Sequence, residues 1–190
     1  VKDYSEIVSL IYQDFSNRLH PEMMPTNEKE IEQQIEREID TNVPSTTDKT
    51  ILQYFLAFNK MILKTNFFRR DKICAVYRLD PSFLNEVDFP EKPFSVFFCV
   101  GRPFIGFHIR FRDISRGGLR IVKSRNLSEY RNNLDTAFME NYNLALTQQK
   151  KNKDIPEGGS KGIILLNINN QDEAERAFKD YIDGILDIII

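Results

Sequence analysis

The run Pro156-Glu157-Gly158-Gly159-Ser160-Lys161-Gly162 holds the residues best equipped for chemistry. Glycines let a backbone turn tightly and let a ligand come close to it. A lysine set among them, at the edge of the apolar strand that follows, would be partly removed from water. There it can act as an acid/base group or polarise a carbonyl near neutral pH. Lys150, Lys151, Lys153 and Arg116 are the cations able to crowd it. On chemistry alone, a glycine turn with a solvated lysine explains the same residues. The run is not a P-loop, which needs Ser or Thr after its lysine; here Ser160 precedes it. No Gly-x-Gly-x-x-Gly occurs, so the dinucleotide fingerprint is absent.

A second cluster is Arg110, Arg112, Arg116, Gly117, Gly118 and Arg120. Between Arg102 and Arg125 seven basic residues face only Asp113, so an anion would be met in this half of the chain. Guanidinium groups are planar donors that fit carboxylates and phosphates. The cluster reads as a dicarboxylate site, or equally as structural ion pairs with Asp113 and the acidic N-terminal helices. His20 and His108 lack metal-ligand spacing, and no metal is expected. His108, on the polar side of a strand, reads as a packing residue. No Ser or Cys carries a nucleophile signature. Cys74 and Cys99 each sit in an apolar run and read as buried thiols of a reducing compartment.

The elements that must position these groups follow from periodicity. Helices are expected over ~3–19, with Asp3 and Glu6 as a capping box, from Asn27 with a thin Ile31/Ile35/Ile39 stripe that packs loosely or against a partner, and over Asp48–Lys64, largely buried. A loop spans Thr41–Thr47. Strands are expected at Lys72–Leu79, Phe94–Val100 and Phe104–Phe111, the last two forming a hairpin about Gly101-Arg102-Pro103. Alternation in the last leaves His108, Arg110 and Arg112 on an outer face. Asp113–Leu127 reads as a polar loop. A helix capped by Ser128 runs to about Lys150, with Leu134, Phe138, Tyr142 and Ala145 inward. Ile163–Ile168 is a buried strand. Gln171–Ile190 is a helix with Ala174, Phe178, Ile182, Ile185 and Ile189 on one face; its Ile-Ile-Ile end without a cap reads as a truncation.

The fold expected is α/β, with α+β character: a mixed sheet flanked by helices (residues 67–190) after a helical N-terminal segment (residues 1–66). The chain of 190 residues is 41% hydrophobic and 28% charged, enough for a real core. Its net charge of −2 and inward-alternating aromatics argue against nucleic-acid binding. No apolar stretch is long enough to span a membrane, and no signal-peptide pattern appears.

The run Phe107-His108-Ile109-Arg110-Phe111-Arg112-Asp113-Ile114-Ser115-Arg116-Gly117-Gly118-Leu119-Arg120 resembles the substrate-domain signature of glutamate dehydrogenases. So do Leu146-Thr147-Gln148-Gln149-Lys150-Lys151-Asn152 and Asp154-Ile155-Pro156 with the glycine run. The likeness is strongest to the large, NAD-specific eukaryotic type. It extends from about Lys64 to Leu166, and more weakly to the end. It implies the substrate domain of the amino-acid dehydrogenases, acting on L-glutamate and 2-oxoglutarate within a homo-oligomer. The implied compartment is the cytoplasm, with the mitochondrion as the alternative.

The resemblance also implies roles. Lys161 matches the catalytic lysine. Lys151 matches the lysine that binds the α-carboxylate, although it stands closer to Pro156 than in the small enzymes. Gln148, three residues earlier, matches a substrate-binding glutamine. Arg116 stands where the small enzymes have lysine before Gly-Gly, and Gly118 offers a backbone contact. NAD and a catalytic aspartate are expected outside this chain, so residues 1–190 alone should lack dehydrogenase activity. The competing readings are a dehydrogenase of an apolar amino acid, a non-catalytic 2-oxoglutarate or anion-binding module, and an oligomerisation module.

Overall fold

A computed structural model describes residues 4–23, 27–151, 154 and 156–189. Contacts divide the chain into two units, Val1–Ile62 and Leu63–Ile190.

The first unit is three helices: α1 (Ser5–Leu19), α2 (Glu28–Asn42) and α3 (Thr46–Met61). Ile7, Ile11 and Phe15, spaced four apart, bury one face of α1. Its cap position is Tyr4, without a side-chain bond; Asp3 of the expected capping box lies outside the described residues. Of the two expectations for the α2 stripe, loose packing is not met. Ile35 and Ile39 are fully buried among Ile7, Ile11, Leu52 and Leu56, and each contributes about 1.5–3 kcal/mol. The expected Thr41–Thr47 loop shrinks to residues 43–45, where the Ser45 hydroxyl accepts the Asp48 N–H and starts α3. Nor is α3 largely buried: Leu52 and Leu56 point inward while Ile51, Tyr54 and Phe55 are exposed. In so small a unit only one side of each helix meets a neighbour.

The second unit is built on a six-stranded sheet with β1 (Ile62–Thr65), β2 (Ala75–Leu79), β3 (Ser95–Val100), β4 (Phe104–Arg110), β5 (Ser115–Val122) and β6 (Gly158–Leu166), in the order β1-β2-β3-β4-β6-β5. β2, β3, β4 and β6 pair antiparallel in turn, and β5 pairs parallel to β6. The sheet is therefore mixed and the class α/β, with the expected β3–β4 hairpin present. The parallel pair is joined by α4 (Leu127–Lys150), since parallel neighbours need a long crossover.

Two differences from the expected elements matter for function. The stretch expected as a polar loop contains β5, which carries Arg116, Gly117 and Gly118. The glycine run is not a turn: Gly158 to Gly162 form the first half of β6, which lies between β4 and β5. Both segments are poor in β-branched residues, so their strand character comes from tertiary pairing. β1 was likewise missed, because Ile62–Lys64 continues the helical spacing of α3.

Both faces of the sheet are covered. Phe107 stacks edge-on against Phe138 and Phe111 against Tyr142, which sets the odd-numbered β4 residues against α4. α4 starts at Asn126, whose side chain accepts the Glu129 N–H, and not at the expected Ser128. Its buried stripe is Ala137, Asn141, Tyr142 and Ala145, while Leu134 is exposed. The other face carries α5 (Ala174–Ile189). There Ala177, Tyr181, Ile185 and Ile188 pack on Val76, Phe97, Phe104, Ile164 and Leu166. This stripe is offset from the expected one, and Phe178 and Ile189 are exposed. Gly184 permits the contact, because a Cβ there would overlap the Cys74 Sγ. His108 is thus not on an outer face but beneath Tyr181. Both cysteines are free and buried, and burial pushes the Cys74 thiol up to about 12.

Candidate functional site

The register between β5 and β6 assembles the site. Arg116 lies opposite Gly159, Gly117 opposite Ser160, and Gly118 opposite Lys161. Arg116 and Lys161, far apart in sequence, thus come to neighbouring strands on the same sheet face. That face is the one covered by α4, because a Cβ on Gly159 would overlap the Gln149 backbone N and lie 2.5 Å from the Ala145 O. Gly159 is a glycine because α4 comes this close. Gly117 is one because any side chain would overlap the Ser160 carbonyl.

Lys161 is partly buried, and on its other side its strand neighbour is Ile109. Its Nζ lies 3.5 Å from the place a Cβ on Gly118 would take. Gly118 therefore leaves open the space into which the ammonium reaches. Among the described residues Lys161 has no hydrogen-bond or ion-pair partner. A cation held between strands and left without a counterion can meet a ligand.

Arg116 supplies the second positive charge. Its Nε is buried with no hydrogen-bond partner, and the nearest carboxylate oxygen, Glu157 Oε2, is 3.9 Å away. A guanidinium so loosely paired retains donors for an anion. The rest of the arginine cluster is spent on structure. Arg110 donates to the Asp113 carbonyl at 2.7 Å, Arg112 to the Pro156 carbonyl at 3.2 Å, and Arg120 pairs with Glu140 of α4. The expected partner Asp113 is met through its backbone, not its carboxylate.

Gln148 and Lys151 lie at the C-terminal end of α4. Gln148 is partly buried; Lys151 is exposed and closes the helix through its backbone N–H to the Thr147 carbonyl. Neither is hydrogen-bonded to Lys161 among the described residues. Lys150 is exposed, and Lys153 and Asn152 lie outside the described residues. The structure thus brings Arg116, Gly118 and Lys161 together and sets Gln148 and Lys151 at a helix end beside the start of β6.

Sequence reasoning passed over two residues of α4. Gln149 Oε1 accepts the Gly159 N–H at 2.7 Å and ties the helix end to the glycine run. Asn141 is fully buried, and among the described residues neither polar atom of its amide has a partner. A polar residue at the i−4 position of Ala145 was the signal available for it. His108 stands apart, on the α5 face. Its Nδ1 meets the Tyr181 hydroxyl at 3.1 Å, and that hydroxyl donates to the Phe107 carbonyl. Burial, with Arg110 alongside, pushes the His108 pKa down to about 3, so the ring is neutral and structural.

Comparison with known proteins places the chain in a family. Residues 34–189 match the family model described as bacterial NAD-glutamate dehydrogenase, catalytic domain. Glutamate dehydrogenase 2 of Dictyostelium discoideum is 46% identical over 194 residues, covering 100% of this chain and 19% of that protein. The NAD-specific glutamate dehydrogenase of Saccharomyces cerevisiae is 50% identical over 167 residues, 86% of this chain and 15% of that protein. That of Neurospora crassa is 47% identical over 156 residues, 82% of this chain and 15% of its own length. The chain spans less than a fifth of the length of these curated relatives. With both site motifs inside the matched segment, the chain belongs to the NAD-glutamate dehydrogenase family.

Proposed function

We propose that this chain forms the substrate-binding portion of an enzyme that oxidatively deaminates L-glutamate to 2-oxoglutarate and ammonia with NAD. The observation that carries the reading is the Lys161 ammonium, unpaired among the described residues, in the gap left by Gly118, two register positions from Arg116. Two cations on one sheet face suit a dicarboxylate. They suit an apolar amino acid less well, because the buried Arg116 Nε would then keep no close acceptor, with Glu157 3.9 Å away.

In this reading Arg116 holds one carboxylate of the substrate, and Lys151 with Gln148 approaches the other from the end of α4. Lys161 faces the α-carbon. Its ammonium stabilises negative charge developing on oxygen when water adds to the oxidised substrate, and it passes protons between that oxygen and the leaving ammonia. Gly118 contributes its backbone and the open space.

The described residues do not fit NAD. A dinucleotide needs a glycine turn leading into a helix N-terminus. Here Gly158 and Gly159 are in a buried strand with their N–H groups bonded to the Ile114 carbonyl and to Gln149. The turn between β5 and α4, residues 123–126, has no glycine. The nucleotide is assigned to chain outside these residues.

The test is NADH formation from glutamate by the whole protein containing this chain, with Lys161→Ala beside it. The expected result is a loss of about 10²–10⁴-fold in kcat in a folded variant. Undiminished turnover would remove Lys161 from the chemistry.

A further inference from the structure

We propose that Asn141 is a positioning residue for Lys161: its buried side-chain oxygen accepts a hydrogen bond from the lysine ammonium in the working site. The inference rests on the reading of Lys161 given above. It starts from an anomaly. Asn141 is fully buried, and among the described residues both polar atoms of its amide lack a partner. Buried amides are nearly always bonded, because leaving one unbonded is costly.

The register of α4 against β6 says what Asn141 lies over. The Gly159 position abuts Ala145 and Gln149. At the other end, Glu140 reaches Arg120, the strand neighbour of Ile163. One helical turn rises about 5.4 Å and two strand residues about 6.6 Å, so four residues of α4 advance with two of β6. Asn141, four residues before Ala145 in the stripe that faces the sheet, therefore stands over position 161. An ammonium with three donors and, among the described residues, no partner thus lies on the same face as an amide whose acceptor is free among them.

The charged groups around Lys161 are Arg116 and Arg120 on β5, Glu157 ahead of β6, and Glu140 and Lys151 on α4. β4 presents Phe107 and Ile109 to this side, followed by Phe111 just past its end, and no charge. A neutral acceptor at 141 adds direction to the lysine without adding a further charge.

The experiment uses the whole protein and compares Asn141→Leu, Asn141→Asp and Lys161→Ala in the pH dependence of kcat/KM with glutamate. Loss of the acceptor favours the neutral amine. The limb set by the lysine should then move to lower pH by about one unit in the Leu variant and to higher pH in the Asp variant. A purely structural role would lower stability without moving the limb in opposite directions. If the Leu variant does not fold, the Asp variant, which keeps the shape, carries the test. A profile unchanged in position in both folded variants, with Lys161→Ala inactive, overturns the proposal and leaves the function standing. Full turnover in Lys161→Ala overturns both.

Discussion

At the scale of single residues, the site is defined by what surrounds its cations. Arg120 is neutralised by Glu140, whereas among the described residues Arg116 has only a distant carboxylate and Lys161 none. Arg116→Ala in the whole protein should therefore raise KM for glutamate about 10–100-fold, the loss of one charged hydrogen-bonding partner, with a smaller effect on kcat. An unchanged KM would mean that another cation holds the carboxylate. His108 gives a prediction of a different kind. Its pKa is lowered, so between about 6.5 and about 3 the unfolded chain binds a proton that the folded one does not. Its contribution is fully present above the ordinary histidine pKa and is lost as pH falls through that window. His108→Gln should flatten the acid slope of melting temperature, read by circular dichroism from pH to pH. The residue types of the site were legible in the sequence, because Arg116, Gly118 and Lys161 belong to recognisable runs. Asn141 was not, since its importance lies in being buried without a partner, which no local pattern records.

At the scale of elements, the strands with strong local signals were found and those without were not. β3 and β4 announce themselves through apolar and alternating residues. β5 carries two glycines and three charged or hydroxyl side chains, and the first half of β6 is glycine-rich, so both resembled loops. Their pairing with each other and with β4 overrides propensity, and that pairing depends on chain segments distant in sequence. The same tightness makes Gly159 sensitive. Gly159→Ala would push a methyl into the backbone of α4 at Gln149. A destabilisation of about 1–3 kcal/mol, or more where the helix cannot shift, is expected from chemical denaturation. Gly118→Ala would meet Lys161 Nζ at an ordinary contact distance and should spare stability. An equal loss in both would show that the helix–strand spacing is not what requires Gly159.

At the scale of the whole molecule, the chain is a small part of what its relatives are. It spans 15–19% of the three described above. Two units, one helical and one built on the mixed sheet, account for the described residues, and among these no helix is long and apolar enough to cross a membrane. The glycine run is committed to a strand, and in the proposed reading the nucleotide is held outside this chain. Purified residues 1–190 should therefore form no NADH from glutamate, measured by absorbance, while still binding 2-oxoglutarate weakly by calorimetry. Turnover by this segment alone would place the nucleotide site within it.

The crossover from β5 to β6 has a consequence for how such a chain tolerates changes in length. α4 is 24 residues and β6 is 9, about 36 Å against about 30 Å, so helix and strand run alongside each other for almost their whole extent. A one-residue insertion within α4 would turn everything after it by about 100°. That would carry Ala145 and Gln149 away from Gly159 and spoil the fit along half the strand. The same insertion between Phe83 and Phe94 would lengthen a connection and leave the paired cations untouched. Deletions and insertions are thus sorted by position: the segment that sets Arg116 and Lys161 under α4 behaves as a ruler of fixed length, and its slack lies in the connections.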